Sequence, residues 1–514
     1  MDKKTPYHYM NQVKNLSGIG EMRKLIKAFP LIYLIFVTLW LRLINLGYSD
    51  YQGDEIKALY RPEAGQGISE FLFSQRKGPI QFFVTYIIKI FNPNYDNELF
   101  VRLPFAVAGI LAVYFFYKLV KLHFGEKIAL YSAFFMATNG LFVAFARIAQ
   151  YQSLVILFSI LALYFLSLYM ENEKWRVSGL YLGITFWGFS ILAHFDGIFI
   201  APFVCYVLYS WYTDKSILSK EVKFKHLSFT LLILVGIIAS FYVPFFLSVS
   251  ESTKEYWANR ISTRPEDSIS TFKIYNPIFV IYLYAILGAL SLSKIKKTFS
   301  VIVWFLFPFV VMEVLVSQPG THIYTYILPF CIFIAYGLER LEFLVSRKSK
   351  VNFKFLSIKA VMCLLLFLLA HVMFVDHSKE YAWEDKNFLM IELPKKHKQS
   401  AFAFPYYRHW EDIGTYIKTV DKRGYYLTNE KKSIARYYVP TEFKNVELEA
   451  EANKLLGYTY LIHIKNPQTR NENILGKKPS YWEQYEPVKT FSNNGRIVAK
   501  IYRLSGKELE KMRQ

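Results

Sequence analysis

Leu227–Val249 reads LSFTLLILVGIIASFYVPFFLSV, a run without a single Asp, Glu, Lys or Arg. A helix of ~20 apolar residues crosses the hydrocarbon core of a bilayer, and such a run has no polar side to turn toward water. Toward the N-terminus, further apolar runs occupy Ile198–Trp211, Val177–Leu192, Ser153–Tyr169, Ile128–Phe145, Leu103–Leu122 and Pro30–Leu46. Toward the C-terminus they occupy Pro277–Leu292, Phe299–Val316, Ile323–Leu338 and Phe355–Val375. These runs predict an α-helical polytopic membrane protein of about eleven spans. The composition agrees: the 514 residues are 53% hydrophobic and 18% aromatic, yet strongly charged between the apolar runs.

The formal net charge of +21 is spread among the loops rather than gathered on one domain or stripe, which argues against a nucleic-acid partner. Cys205, Cys331 and Cys363 all fall inside apolar runs and offer neither a disulfide framework nor a metal-ligand spacing. Lys3, Lys4, Lys14, Arg23, Lys24 and Lys27 precede the first run, and no small-residue cleavage site follows it, so it reads as a retained first span. Cytoplasmic loops are enriched in Lys and Arg near the span ends. Every second loop carries such residues: Lys118, Lys121 and Lys127; Lys174 and Arg176; Lys215 to Lys225; Lys294 to Lys297; and Arg340 to Lys354. The loops near His194–Gly197 and Ser317–His322 have none. The expected layout is a cytoplasmic segment at 1–29, a membrane domain at 30–375 with a long first outer loop at 47–102, and an extracytoplasmic domain at 376–514. Within that last domain, a helix-period face at Ile413, Tyr416, Ile417 and Val420 and strand-like runs at Gly424–Thr428, Tyr458–Ile464 and Ile497–Leu504 predict a small α/β fold. Pro79–Phe91 is apolar but too short to cross, and is expected to lie in the membrane interface.

Sorted by side, the unusual polar clusters fall on the outer loops: Gly53-Asp54-Glu55, Arg76-Lys77-Gly78-Pro79, Arg102-Leu103-Pro104, Ala146-Arg147, His194-Phe195-Asp196 and Gln318-Pro319-Gly320-Thr321-His322. Cations at span ends on the non-cytoplasmic side run against the usual bias, so Arg102 and Arg147 call for an acidic or phosphate partner.

The acidic pair in a long first outer loop, the Lys-Gly-Pro-Ile-Gln-Phe-Phe start of an interfacial helix at Lys77, the Arg-Leu-Pro entry to span two and the Ala-Arg before span four together resemble the C-type glycosyltransferases. Within that GT-C fold the resemblance is to protein O-mannosyltransferases, aminoarabinose transferases acting on lipid A, and related bacterial polyprenyl-phosphate-sugar transferases, over roughly residues 30–340. It implies an integral protein of a bacterial plasma membrane, with its N-terminus in the cytoplasm and its C-terminal domain outside. It also implies transfer of a sugar from a polyprenyl-phosphate donor to a glycan, lipid or protein acceptor, with inversion. Asp54 would be the catalytic base, Glu55 would orient the acceptor or pair with Arg102, and Lys77, Arg102 and Arg147 would hold the donor phosphate. His194, Asp196, His322 and Tyr324 are possible substrate contacts. No cofactor or metal ligand set is read from the sequence, and dependence on a divalent metal stays open. Two departures bear on sugar and acceptor preference: Lys77-Gly78-Pro79 stands where relatives often have His-Pro-Pro or Lys-Pro-Pro, and Gln150-Tyr151-Gln152 where an acidic residue often follows the arginine.

Plainer readings stand beside these. Asp54-Glu55 also reads as a solvated acidic dipeptide, Arg102 and Arg147 as anchors reaching for headgroups, and His194 to Asp196 as a polar turn between helices. A transporter or flippase of lipid-linked sugars is the main alternative of another class; it predicts ionisable residues at span centres and repeat-related halves, of which the sequence has few. A metal-dependent oligosaccharyltransferase would require a Trp-Trp-Asp motif in the C-terminal domain, and the chain has none.

Overall fold

A computed structural model describes residues 28–513 except 216–217, 263–267, 349–351, 380–385, 394–401, 447–457 and 470–472. The lysines and arginines of residues 1–27, and Lys350, lie outside the described residues. The predicted apolar runs are helical. Among the described residues, five helices are long and apolar enough to cross a membrane: α5 (Glu98–Phe124), α8 with its 3-10 extension (Gln152–Met170), α9 (Trp175–Ala193), α10 with the 3-10 turn before it (Phe195–Thr213) and α11 (Lys220–Ser248). A bent pair, α6 (Glu126–Thr138) and α7 (Gly140–Ala146), makes a sixth when taken as one span, and shorter apolar helices include α1 (Ala28–Leu43), α4 (Ile80–Phe91), Ile278–Lys294, Phe299–Leu315 and Ile358–Phe374. By length and composition the described residues thus support five to six spans, where the sequence predicts about eleven.

The burial of each helix follows its composition. Helix α8 (Gln152–Ser167) is apolar all round and sits between α5 and α9, burying nearly every residue. Helix α11 is equally apolar but peripheral, and leaves Leu231, Leu232, Val235, Val243, Phe246 and Leu247 exposed, as a lipid-facing helix does. Helix α4 buries Gln81, Phe82, Thr85 and Ile88 at helical spacing and exposes Phe83, Tyr86, Ile87, Ile90 and Phe91. Apolar on both sides and only 12 residues long, it has the shape of an interfacial helix. The single run Ile128–Phe145 is broken by a 65° bend at Asn139. Asn139 turns its side chain onto the Leu141 N–H at 3.0 Å, and the Gly140 N–H donates to Asn276 Oδ1 at 3.0 Å. A Cβ on Gly140 would meet Tyr275 O at 1.8 Å, so the close approach that redirects the helix requires glycine.

Hydrogen bonds tie several helix ends into one face. Arg147, just after α7, donates to Leu41 O, Ile44 O and Asn45 O and so caps the end of α1. Asn45 Nδ2 donates to Val375 O, and Arg102 near the start of α5 donates to Leu46 O and Ser49 O. At the opposite ends Glu342 pairs with Lys127 at 2.7 Å and Lys359 at 3.0 Å.

The C-terminal domain holds a small antiparallel pair, β1 (Asn387–Phe388) and β2 (Ile391–Glu392), and a five-stranded sheet in the order β4-β3-β5-β7-β6, with β3 (Gly424–Thr428) parallel to β4 (Phe443–Asn445) and β5 (Tyr458–Ile464), and β7 (Arg496–Ser505) antiparallel to β5 and β6 (Lys489–Asn493). Helices α18 (Trp410–Val420) and α19 (Lys432–Tyr438) pack on it through Ile413, Ile417 and Ile434, all fully buried. The predicted helix face and three predicted strands are all present, and β1, β2, β4 and β6 are additional. The domain shares one apolar cluster with the helices: Phe404 stacks on Phe374 at 4.9 Å and on Tyr275 at 5.9 Å.

Candidate active site

The loop after α1 carries Asp54 and Glu55 on one short turn, α2 (Gly53–Ile56), and sends them in opposite directions. Glu55 is fully buried. Its carboxylate accepts from Arg102 Nε at 2.8 Å and Arg102 Nη2 at 2.9 Å, from Gln52 N at 3.0 Å and from Ala149 N at 3.0 Å. Arg102 in turn donates to Leu46 O, Ser49 O and Asp50 O, so all five of its N–H donors are taken up within the protein. Arg147 spends its guanidinium on the α1 carbonyls. The two arginines and Glu55 therefore form a frame that holds the loop through their hydrogen bonds.

Asp54, 35% exposed, is the carboxylate left facing outward from this frame. Its Oδ1 lies 3.7 Å from Lys57 Nζ and 3.5 Å from Lys431 Nζ, the latter from the C-terminal domain. Burial alone raises the Asp54 carboxyl, but Lys431, Lys77 and Lys57 together hold it below the usual carboxylate range.

Lys77 occupies the second position. Its Nζ is buried without a hydrogen-bond partner, lies 5.3 Å from the centre of the Tyr151 ring, and feels Asp54 electrostatically. Burial lowers the amine to about 8 despite the pull of Asp54. Lys77 and Gly78 also line a cavity of about 270 Å³ whose other walls include Phe241, Phe245, Phe246, Trp257 and Met312, with Arg76 and His322 beside them. The Lys77 segment thus forms part of the wall of an apolar cavity, while its amine is buried within the protein. Gly78 makes the approach possible: a Cβ there would fall 1.9 Å from Leu192 O at the end of α9. The departure from a Pro-Pro pair thus has a local structural reason.

Tyr151 links this amine to the remaining predicted residues. Its ring stacks on His194 at 4.1 Å with 10° between planes, and His194 and His322 flank Asp196. Asp196 Oδ2 is 2.7 Å from His322 Nδ1 and accepts from Tyr324 Oη at 2.9 Å. Asp54, Lys77, His194, Asp196, His322 and Tyr324 therefore belong to one connected region, whereas Glu55, Arg102 and Arg147 support it from behind.

Sequence reasoning missed the contribution of the C-terminal domain. Besides Lys431, Gln468 Oε1 accepts from Gly53 N at 3.0 Å, the Arg408 and Trp410 N–H groups donate to Asp50, and Arg408 bridges Tyr51 O at 3.0 Å and Glu430 at 2.9 Å. Gln150, Gln152 and Ser153 also bury side-chain oxygens that have no hydrogen-bond partner. The Gln150-Tyr151-Gln152 motif marked them in the sequence, but only as a missing acid.

Fold and site define a helical integral membrane protein in which Lys77 and His322 line an apolar cavity and Asp54 acts electrostatically on Lys77. Residues 78–242, which hold Gly78, Arg102, Arg147, His194 and Asp196, match the sequence model of the family described as dolichyl-phosphate-mannose-protein mannosyltransferase. The resemblance to polyprenyl-phosphate-sugar glycosyltransferases holds over that interval. Among solved structures, ArnT from Cupriavidus metallidurans bound to undecaprenyl phosphate is 13% identical, with 94% of this chain and 98% of that chain covered and a TM-score of 0.46. The oligosaccharyltransferase AglB from Archaeoglobus fulgidus, in complex with an inhibitory peptide and a dolichol-phosphate, is 12% identical, with 85% and 69% covered and a TM-score of 0.47. No curated protein matches the chain.

Proposed function

We propose that this chain transfers a sugar from a polyprenyl-phosphate donor to an acceptor hydroxyl at one membrane face, with inversion at the anomeric carbon. The observation that carries the reading is Lys77: a residue that lines an apolar cavity, whose buried amine has no hydrogen-bond partner in the protein and feels the charge of Asp54. A lipid-linked phosphate matches both halves of that arrangement, its chain lying among Phe241, Phe245, Phe246 and Trp257 and its charge meeting Lys77. The family match over residues 78–242 supports the same donor class.

In this reading Asp54 takes the proton of the acceptor hydroxyl as the new bond forms at the anomeric carbon and the bond to the phosphate oxygen breaks. Because that proton is released as the acceptor oxygen bonds, a carboxylate suffices as base. Negative charge grows on the departing phosphate, and a contact from Lys77 strengthens with it, which favours the transition state over the bound donor. Glu55, Arg102 and Arg147 hold the loop in place rather than touching substrate. The lysines of the alternate loops, including Lys127, favour a bacterial plasma-membrane orientation in which the site faces outward and the N-terminus lies in the cytoplasm.

The test compares cell-envelope glycans and lipid-linked sugars by mass spectrometry with the gene intact, deleted, and replaced by Asp54→Asn. Deletion is expected to remove a glycan and accumulate its lipid-linked donor, and Asp54→Asn to reproduce deletion. Full product from Asp54→Asn would end the assignment of the base.

A further inference from the structure

A buried histidine, a partly exposed one and a buried carboxylate meet beside Tyr151 in a way the transfer reading does not use. His194 follows α9, Asp196 lies in the 3-10 turn Phe195–Ile200, and His322 lies in the 3-10 turn Gly320–Ile323, so segments distant in the chain supply them. One ligand atom from each lies within 4.8 Å of the others.

The contacts inside this group do not balance as hydrogen bonds alone. The Asp196 N–H approaches His194 Nδ1 at 3.2 Å, a contact that requires the lone pair of that nitrogen. The same nitrogen is 3.1 Å from Asp196 Oδ1, and this oxygen is buried with no hydrogen-bond partner. One nitrogen cannot accept from the backbone and donate to the carboxylate at once, so one of the two contacts is unmet out of water, and a cation between nitrogen and oxygen would relieve it. The 3.2 Å backbone contact is weak enough for a cation to displace it. The surroundings resemble the outer shell of a metal site: Tyr324 Oη donates to Asp196 Oδ2 at 2.9 Å, and the Tyr151 ring fixes the plane of His194.

We propose that His194, Asp196 and His322 bind a divalent transition-metal ion of the zinc class. Two imidazoles and one carboxylate are the borderline donors such an ion selects, and three protein ligands leave a coordination position open. His322 and Lys77 also line one cavity, which puts a ligand of the proposed ion on its wall. The competing account is a metal-free brace in which His322 and Tyr324 simply hold Asp196.

The two accounts separate on metal content, without any transfer assay. Full-length, tag-free protein in detergent is dialysed against zinc and then against buffer, and bound metal is measured by inductively coupled plasma mass spectrometry; a parallel sample takes cobalt(II) and is read by visible absorbance. The expected result is about one ion per chain, with an intense tetrahedral cobalt spectrum. His194→Ala and His322→Ala lose the ion, while Tyr324→Phe, which removes the brace but no ligand, retains it. Thermal unfolding of each apo variant identifies any that fail to fold. The wild-type cobalt spectrum decides the case by itself: absence of cobalt bands in folded wild-type protein, or full metal retention in both histidine variants, overturns the proposal.

Discussion

Lys431, carried by the C-terminal domain, places its ammonium 3.5 Å from the carboxylate of Asp54, which belongs to the first loop of the membrane domain. The ion pair crosses the boundary between the two parts of the molecule and acts on the group proposed as base. Together with Lys77 and Lys57 it holds Asp54 below the usual carboxylate range, against the opposing effect of burial.

Replacing Lys431 by Met removes one of the charges that stabilise ionised Asp54, so the folded-state pKa rises. A base acts only when deprotonated, so activity falls as pH drops through that pKa, and in Lys431→Met the fall begins at higher pH. Lys431→Arg keeps the charge and restores the wild-type limb. The measurement is transfer rate against pH for the three proteins; superimposable acidic limbs would show that Lys431 does not govern Asp54.

Lys77 supplies a second pH limb of opposite sense. Its amine, lowered by burial to about 8, is charged below that pH and neutral above it, so affinity of the unliganded protein for a polyprenyl phosphate is present below and lost as pH rises through about 8. Lys77→Met removes the charge altogether. A hydrogen bond to a charged group contributes about 1.5–3 kcal/mol, which corresponds to a roughly 10- to 150-fold weaker dissociation constant. Binding titrations with polyprenyl phosphate in nanodiscs check both statements.

Glu55 and Asp54 are adjacent in sequence but separate in their predicted effects. Glu55→Gln leaves the buried Arg102 guanidinium without its counter-charge, a change that costs about 3–5 kcal/mol of stability. Asp54→Asn affects a partly exposed carboxylate and is expected to leave the unfolding temperature near wild type while transfer is lost. Thermal unfolding in detergent beside a transfer assay distinguishes the frame residue from the reacting one.

Gly78→Ala tests the approach of the Lys77 segment to α9. The added methyl would overlap Leu192 O, a backbone atom that cannot rotate away, so the start of α4 must shift and carry Lys77 with it. We expect a loss of about 1–3 kcal/mol, as for other overpacked sites, accompanied by weakened donor binding. Unchanged stability and binding would show that the two helices have slack there.

The sequence revealed what depends on local composition. Apolar runs such as Leu227–Val249 announced helices, and the short aromatic- and β-branched-rich runs Gly424–Thr428 and Tyr458–Ile464 announced strands, because local residue type carries both signals. The bend at Asn139 was hidden, since it depends on Gly140 meeting a carbonyl of Tyr275 from a distant segment. The site was legible as residue types and unevenly as roles. Arg102 and Arg147 stood out as unusual cations, yet their guanidinium groups go to protein carbonyls and Glu55, an outcome fixed by loop geometry that no short motif encodes. Lys431 carried no signal, because its proximity to Asp54 arises from docking of a whole domain.

The segment from Ser49 to Glu55 is fastened from two sides, by Arg102 and Ala149 of the helical part and by Arg408, Trp410 and Gln468 of the sheet domain. Neither half alone fixes where the carboxylate of Asp54 comes to rest. The two parts are therefore heritable only as a pair: a chimera that grafts the tail of a distant homologue onto this bundle would inherit a misregistered loop unless the grafted surface supplied equivalents of those three anchors.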